Sequence, residues 1–369
     1  MRILITLLLC LAFGKTAISQ SVTTFIDISN GPRITDDLLF DNQGNLYGAD
    51  YFGSAVYKIS PSGSISTLIS GLNSPNGLAL DSQENLYICA NGGNQIYKLS
   101  AAGVLIDSFT VANPSNIIKD VNSDTLFFTS YSGQQLNKLA PDGTIIPWFS
   151  GSPLNGPVGL CYDNQGQLYL SNFTDRHIYK VFRDSLQYLA RVPGTPTSSV
   201  GFITFAFDCI WATNFQNHKI YRVFANHIDS VVLYAGSTLG ITDGSLDSAK
   251  FHQPNGIVAK NDSLFISEFA TGKIRVIANI DADLNSKTQK LKRANLTLYP
   301  NPCKNYLSIS APINSDLNFY KILSPDGRVL ESGALYNKAK LSVEKIEPGI
   351  YFLILSGKNA RFTTRFQKL

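Results

Sequence analysis

The sequence predicts an all-β protein, a six-bladed β-propeller followed by a small C-terminal β-sandwich. Strand-forming aromatic residues are abundant, with 17 Tyr and 22 Phe against a single Met. No long amphipathic helical pattern is present. A short motif with a central cation recurs six times, and turns rich in Asn, Asp and Gly separate the apolar runs between its copies.

The first 19 residues have the features of a cleavable export signal. Arg2 precedes an apolar run from Ile3 to Phe13, and the small-residue site Ala17–Ser19 follows. At about eleven residues, the run is too short to span a bilayer. We therefore predict that residues 1–19 form a signal peptide and that the mature chain has no transmembrane segment.

The recurring motif indicates a propeller, because a period of about 40 residues is typical of one blade. The last residues of its copies are 40, 40, 42, 42 and 53 positions apart. Turns such as Asp81–Asn85 before the motif and Ser60–Gly63 after it divide each repeat into four strands. The copies are Tyr57–Ile59, Tyr97–Leu99, Asn137–Leu139, Tyr179–Val181, Tyr221–Val223 and Ile274–Val276.

The sixth repeat lacks an outer strand, since its last apolar residues are Val276 and Ile277. The run from Val22 to Ile28 has no other assignment. We predict that this run pairs with the sixth blade and closes the ring, so that no long sheet edge is exposed. The propeller then extends over residues 20–278.

The second and sixth repeats resemble a known family. Pro75–Asp81, with the following Asn85–Ile88, resembles the NHL repeat, and Asp243-Gly244 followed by Pro254–Ile257 resembles it more closely. The resemblance implies an NHL-type propeller. The third and fifth repeats depart from the pattern, because Ser115-Asn116 and Phe202-Ile203 stand where Asn-Gly is expected.

The end of the chain carries a second signature, formed by Tyr299, Pro300, Asn301, Pro302, Gly349 and Tyr351. Pro-Asn-Pro ends a strand, and the residues from Tyr351 to Leu355 alternate as a strand does. The pattern looks like the C-terminal sorting domain of Bacteroidetes type IX secretion. This resemblance implies that residues 295–369 form a sorting domain after a linker at 279–294. It also implies that the secretion machinery is a partner and that the protein is secreted or attached to the outer cell surface.

The charge distribution argues against a nucleic-acid partner. Residues 20–290 contain 17 Lys or Arg against 22 Asp or Glu, a net charge of −5, whereas residues 291–369 contain 12 against 5, a net charge of +7. A mildly acidic body without a basic stripe does not provide the clustered cations that phosphate binding requires.

Aligning the repeats predicts an oxygen-rich rim at one end of the axial channel. Its residues start the innermost strand or end the next strand of each blade, and we predict Asp36, Asp50, Asn76, Asn172, Asn214, Asn255 and Glu268 there. Asp36, Asp50 and Glu268 come from adjacent blades and are candidate ligands for calcium, which prefers oxygen donors. The alternative is that these side chains cap turns and strand ends.

Two function classes follow. The favoured one is a secreted or surface binding module whose propeller face holds a glycan, peptide or protein, because no catalytic residues can be assigned. The alternative is a metal-dependent hydrolase resembling the gluconolactonase-like propellers, in which calcium polarises a carbonyl and activates water. The four cysteines left after processing show no metal-binding or disulfide spacing, and Cys89 and Cys161 are expected to be buried apolar residues.

Overall fold

The computed structural model describes residues 20–27, 31–280, 297–310, 317–324, 329–335, 340–357 and 361–369. The predicted signal peptide and most of the predicted linker lie outside these ranges. The chain divides into two compact units, Met1–Leu284 and Asn285–Leu369. Within the described ranges, no helix is both long enough and apolar enough to cross a membrane.

The predicted all-β fold class is confirmed, and five consecutive four-stranded antiparallel sheets occupy most of the first unit. The first sheet contains β2 (Leu38–Phe40), β3 (Leu46–Asp50), β4 (Ala55–Ile59) and β5 (Ile65–Ser70). The second contains β6 (Pro75–Leu80), β7 (Leu86–Ala90), β8 (Gln95–Leu99) and β9 (Leu105–Thr110). The third contains β10 (Pro114–Lys119), β11 (Leu126–Ser130), β12 (Gln135–Leu139) and β13 (Ile145–Ser150). The fourth contains β14 (Pro157–Tyr162), β15 (Leu168–Asn172), β16 (His177–Val181) and β17 (Leu186–Arg191). The fifth contains β18 (Val200–Ala206), β19 (Cys209–Asn214), β20 (Lys219–Val223) and β21 (Val231–Ala235).

The sixth sheet joins the two ends of the unit. It contains β1 (Ser21–Ile26), β22 (Gly244–Ser245), β23 (Pro254–Lys260), β24 (Ser263–Glu268) and β25 (Ile274–Ile277). Val22 pairs with Ile277 and Thr23 with Val276, so β1 lies antiparallel to β25. The predicted closing pair is therefore confirmed for the described part of the N-terminal run.

The six sheets form a closed ring around their innermost strands. Each of β2, β6, β10, β14, β18 and β23 contacts the innermost strand of the next sheet, and β23 contacts β2. Glycine permits this approach, because a Cβ at Gly77 would lie 2.3 Å from the backbone oxygen of Ser115 and one at Gly256 would lie 2.2 Å from that of Asp36. The Gly of the Asn-Gly pattern thus has a packing role.

Hydroxyl groups connect several neighbouring sheets. Ser267 Oγ accepts a hydrogen bond from Gly256 N of its own sheet (2.8 Å) and donates one to the carbonyl of Asp36 in the next (2.6 Å). Thr213 Oγ1 donates in the same way to the carbonyl of Asn255 (2.7 Å). These bonds satisfy backbone groups that the irregular start of each inner strand leaves unpaired.

The recurring cation is a structural element of the blade. Lys58 Nζ lies 5.0 Å from the ring centroid of Tyr47 on the adjacent strand and 3.6 Å from Asp41 Oδ2. Lys98 makes the same contacts in the next sheet, at 5.0 Å from Tyr87 and 3.5 Å from Asp81 Oδ2. The side chain therefore covers an aromatic ring and pairs with the hairpin-turn carboxylate.

The second unit contains two sheets. One holds β26 (Thr297–Tyr299), β27 (Tyr306–Ser310) and β30 (Lys340–Ser342). The other holds β28 (Leu317–Leu323), β29 (Val329–Ala334), β31 (Gly349–Gly357) and β32 (Arg361–Lys368). Leu307 and Leu341 of the first sheet share one core with Ile322, Leu353 and Phe366 of the second.

The signature residues of this unit have local structural contacts. Asn301 Oδ1 accepts a hydrogen bond from Gln367 N (2.9 Å), which fixes the Pro-Asn-Pro turn to the last strand. The Tyr351 hydroxyl donates to the carbonyl of Glu347 (2.8 Å) at the start of β31. The described cysteines, which include Cys89 and Cys161, are free and buried, as expected of apolar residues.

Candidate functional site

A cavity of about 230 Å³ lies where the inner strands of the six sheets begin. Of the predicted rim residues, the structure brings Asp36, Asn76 and Asn255 together there. The residues that line it are Asp36, Tyr51, Asn76, Asn91, Ser115, Tyr131, Val158, Phe173, Phe202, Phe215, Asn255 and Phe269. We call this the axial cavity.

An aromatic residue stands at the mouth of the axial cavity in five of the six sheets. Neighbouring ring centroids are 5.9 Å apart for Tyr131 and Phe173, and 5.8 Å for Phe173 and Phe215. They are 5.0 Å apart for Phe215 and Phe269, and 6.0 Å for Phe269 and Tyr51. Aromatic rings attract each other at these separations. We call these five residues the aromatic arc; Asn91 takes the equivalent place in the second sheet.

One backbone hydrogen bond recurs at this position. The N–H of Phe173, Phe215 and Phe269 donates to the carbonyl of the residue directly before the inner strand of the same sheet, at 2.8, 2.9 and 2.9 Å. Tyr131 makes the equivalent bond to Asn113 (3.0 Å). The ring positions are therefore set by the blade geometry, and the repeat places a side chain here once per sheet.

The floor of the axial cavity is polar on one side and apolar on the other. Asp36 Oδ1 accepts a hydrogen bond from Asn255 Nδ2 (2.8 Å), and its Oδ2 accepts one from Thr35 Oγ1 (3.2 Å). Asn76 Nδ2 donates to Ser115 Oγ (3.3 Å), whereas the buried Oδ1 of Asn76 has no hydrogen-bond partner in the part of the chain that the structure describes. An orphaned buried acceptor is costly, and a ligand that donates a hydrogen bond would satisfy it.

Burial changes the acidity of Asp36 and of two neighbouring carboxyl groups, Asp37 and Asp50. It raises the pKa of Asp36 to about 8, although the hydrogen bonds from Thr35 and Asn255 act in the opposite direction. Burial likewise raises the pKa of Asp37 to about 7 and raises that of Asp50. Asp36 is therefore mainly protonated at neutral pH.

The other predicted rim residues hold the loops instead of lining the cavity. Asn172 Nδ2 donates to the carbonyl of Pro153 (2.9 Å) and Asn214 Nδ2 to that of Pro193 (2.8 Å), in each case in the loop that leads into the inner strand. Asp50 Oδ1 accepts from Gly53 N (2.9 Å). These contacts match the capping alternative.

Glu268 forms a buried ion pair with Arg275. This pairing corrects the predicted calcium site. Its Oε1 lies 2.9 Å from Arg275 Nη1, and both side chains are fully buried. Glu268 also accepts hydrogen bonds from His252 N (3.1 Å) and Thr271 Oγ1 (2.7 Å). Among the described residues, no three His, Cys, Asp or Glu side chains lie close enough to hold a metal ion. Asp36, Asp50 and Glu268 therefore do not assemble as a ligand set.

The alignment of the sequence repeats did not predict two features of the site. The aromatic arc lies one residue beyond the aligned strand end, where Tyr51, Tyr131, Phe173, Phe215 and Phe269 recur in register. In the fifth sheet, Val200 pairs with Asn214 as Pro254 pairs with Glu268. Gly201 is therefore the equivalent of Asn255 in the fifth sheet, one residue before the Phe202 that the sequence alignment places there. Phe202 follows it and lines the axial cavity.

The later halves of the inner strands line a second cavity, of about 350 Å³. Its lining includes Leu39, Ile118, Tyr162, Phe205 and Val258. These residues lie in the later part of each inner strand, so this cavity opens toward the other end of the ring.

Residues 297–368 match the family model described as the secretion system C-terminal sorting domain. No curated protein matches the chain. The match identifies the type IX export route that the C-terminal signature predicts.

Several solved structures share the fold of the first unit. An auxiliary nutrient binding protein from Bacteroides thetaiotaomicron is 17% identical, with a TM-score of 0.60 over 70% of this chain and 76% of that one. A gluconolactonase from Xanthomonas campestris is 16% identical, with a TM-score of 0.54 over 70% and 89%. Virginiamycin B lyase from Staphylococcus aureus is 14% identical, with a TM-score of 0.55 over 70% and 99%.

At these identities the likeness concerns the fold alone. The neighbours are propeller proteins, in agreement with the NHL-type resemblance. The chain is therefore a propeller protein with a C-terminal type IX sorting domain, and it is secreted or attached to the outer cell surface.

Proposed function

We propose that this protein is an exported binding module that holds a small ligand in the axial cavity. The observation that carries the proposal is the aromatic arc, which surrounds a floor with the unpaired acceptor Asn76 Oδ1. Apolar walls with a few convergent polar groups are typical of ligand sites. A cavity of about 230 Å³ fits a small molecule or the tip of a larger chain, such as a glycan or peptide end.

The proposed architecture is a six-bladed propeller over residues 20–278, a linker at 279–294 and a sandwich-like sorting domain at 295–369, after removal of residues 1–19. Six consecutive sheets with successive contacts between their inner strands support the blade count. The common core of the two C-terminal sheets supports the sandwich.

A calcium-dependent hydrolase is the less favoured function. It required Asp36, Asp50 and Glu268 to act together, and the pairing of Glu268 with Arg275 removes one of the three. A binding module requires no such convergence.

A thermal-shift screen tests the proposal. The exported protein is screened against sugars, amines and short peptides, and hits are titrated into variants Phe215→Leu and Phe182→Leu. Phe182 is an exposed aromatic residue outside the axial cavity and serves as the matched control. We expect hits to lose affinity in Phe215→Leu and to keep it in Phe182→Leu. Hits that bind both variants as tightly as the wild type would overturn the proposal.

A further inference from the structure

We infer that the axial cavity selects a small organic cation, a quaternary or protonated amine. This inference rests on the proposed function and names the ligand class. Asp36 is the one carboxyl group among the lining residues, and the lining contains no Lys, Arg or His. The aromatic arc and an uncompensated acid thus face the same space.

The carboxyl group of Asp36, at the floor of the axial cavity, has no ion-pair partner among the described residues. Asp36, Asp37 and Asp50 are each less than a tenth exposed, and none forms an ion pair within the described residues. Arg33 is the nearby cation: burial raises the pKa of Asp50, the charge of Arg33 acts to lower it, and the Arg33 guanidinium donates to the carbonyls of Phe269 and Ala270 (3.3 and 3.0 Å). Burial keeps Asp36 mainly protonated in the free protein, and a cation that enters the cavity favours the ionised carboxylate, so binding of the cation is coupled to release of that proton.

The aromatic arc supplies the second attraction. A cation within about 6 Å of a ring centroid is stabilised by the negative face of the ring, and cages of several rings suit quaternary ammonium groups. The rings of Phe173, Phe215 and Phe269 follow one another at 5.8 and 5.0 Å and are inclined at 58° and 66°. Inclined neighbouring rings present faces as well as edges to a common space.

The hydrogen-bonding groups of the floor favour the same class over a neutral polar ligand. Asn255 Nδ2 is already used by Asp36, and Asn76 Nδ2 by Ser115. The group left free is an acceptor, Asn76 Oδ1. An unpaired acceptor in the floor matches a ligand that brings a hydrogen-bond donor, such as an amine or an amino alcohol.

Calorimetric titration with choline and with 3,3-dimethylbutan-1-ol, its uncharged carbon isostere, tests the inference. The two probes have the same shape and hydroxyl group, so a difference between them reports the charge. We expect choline to bind at least about tenfold more tightly, equivalent to about 1.4 kcal/mol. Phe215→Leu and Asp36→Asn should each weaken choline binding about tenfold, and Phe182→Leu should leave it unchanged.

The possible outcomes separate this inference from the proposed function. Equal binding of both probes, lost in Phe215→Leu, would overturn cation selection and leave the axial binding site intact. Absence of choline binding, with an uncharged screened compound bound at the arc and no amine bound there, would do the same. If no compound depends on the arc, the proposed function itself fails. Because Asp36→Asn alters a buried hydrogen bond, Phe215→Leu provides the result that does not rely on that substitution.

Discussion

The ion pair between Glu268 and Arg275 allows a quantitative prediction about the free energy of unfolding. Glu268→Gln keeps the shape of the side chain and removes its charge, so Arg275 remains fully buried with Asp243 as its remaining charged partner. Removing one member of a buried pair costs about 3–5 kcal/mol, and because the contact with Asp243 is retained, we expect a loss of about 3 kcal/mol. In a domain of this size such a loss lowers the melting temperature by about 6 °C or more.

Urea denaturation and calorimetry of the exported protein measure this effect. Asp27→Asn is the matched control, because it makes the same chemical change in a pair with Lys273 in which Asp27 is half exposed. The control should cost less than about 1 kcal/mol. If Glu268→Gln were as stable as the control, the buried pair would not have the role assigned to it. A calcium-dependent stabilisation that disappears in Glu268→Gln would also contradict this account.

Three further predictions concern the propeller. Gly256→Ala should destabilise the protein by about 1–3 kcal/mol in urea denaturation, because the new Cβ would lie 2.2 Å from the carbonyl oxygen of Asp36; an unchanged midpoint would contradict this reading of the inner-strand contact. Deletion of residues 20–29 should lower the melting temperature by at least about 5 °C, because it removes the strand that covers β25; an unchanged melting temperature would refute the closure by β1. The pKa of Asp36 is raised from 3.8 to about 8 in the folded state. Between about pH 4 and pH 8, the folded protein therefore keeps a proton that the unfolded chain has already released. The wild type should therefore lose up to about 1.4 kcal/mol of stability per pH unit relative to Asp36→Asn as the pH rises through that window, and parallel stability curves would contradict the raised pKa.

Much of the propeller could be predicted from the sequence because each strand and turn is specified locally. The cation of the repeat covers the preceding strand's aromatic residue, as Lys58 covers Tyr47, so its spacing follows the blades directly. The role of β1 could be predicted because the sixth repeat lacked an outer strand.

The site was only partly predictable, because side-chain direction beyond a strand end does not follow strand alternation. Asp36, just before β2, and Asn76 and Asn255, at the starts of β6 and β23, line the cavity as expected. The aromatic arc follows the strand end by one residue, where a loop hydrogen bond sets the direction. The partner of Glu268 could not be inferred from the repeat alignment. Arg275 reaches Glu268 from the adjacent strand β25 and also pairs with Asp243, which lies in a separate insertion.

Fluorine NMR of the protein labelled with 3-fluorotyrosine would locate a bound ligand directly. Tyr51 and Tyr131 belong to the aromatic arc, whereas Tyr162 lines the cavity toward the other end of the ring. Substituting each of the three by Phe assigns its signal. When a hit from the ligand screen is added, we predict shifts of the Tyr51 and Tyr131 signals and none of Tyr162. Shifts confined to Tyr162 would place the ligand at the opposite end and contradict the central claim that the aromatic arc forms the binding site.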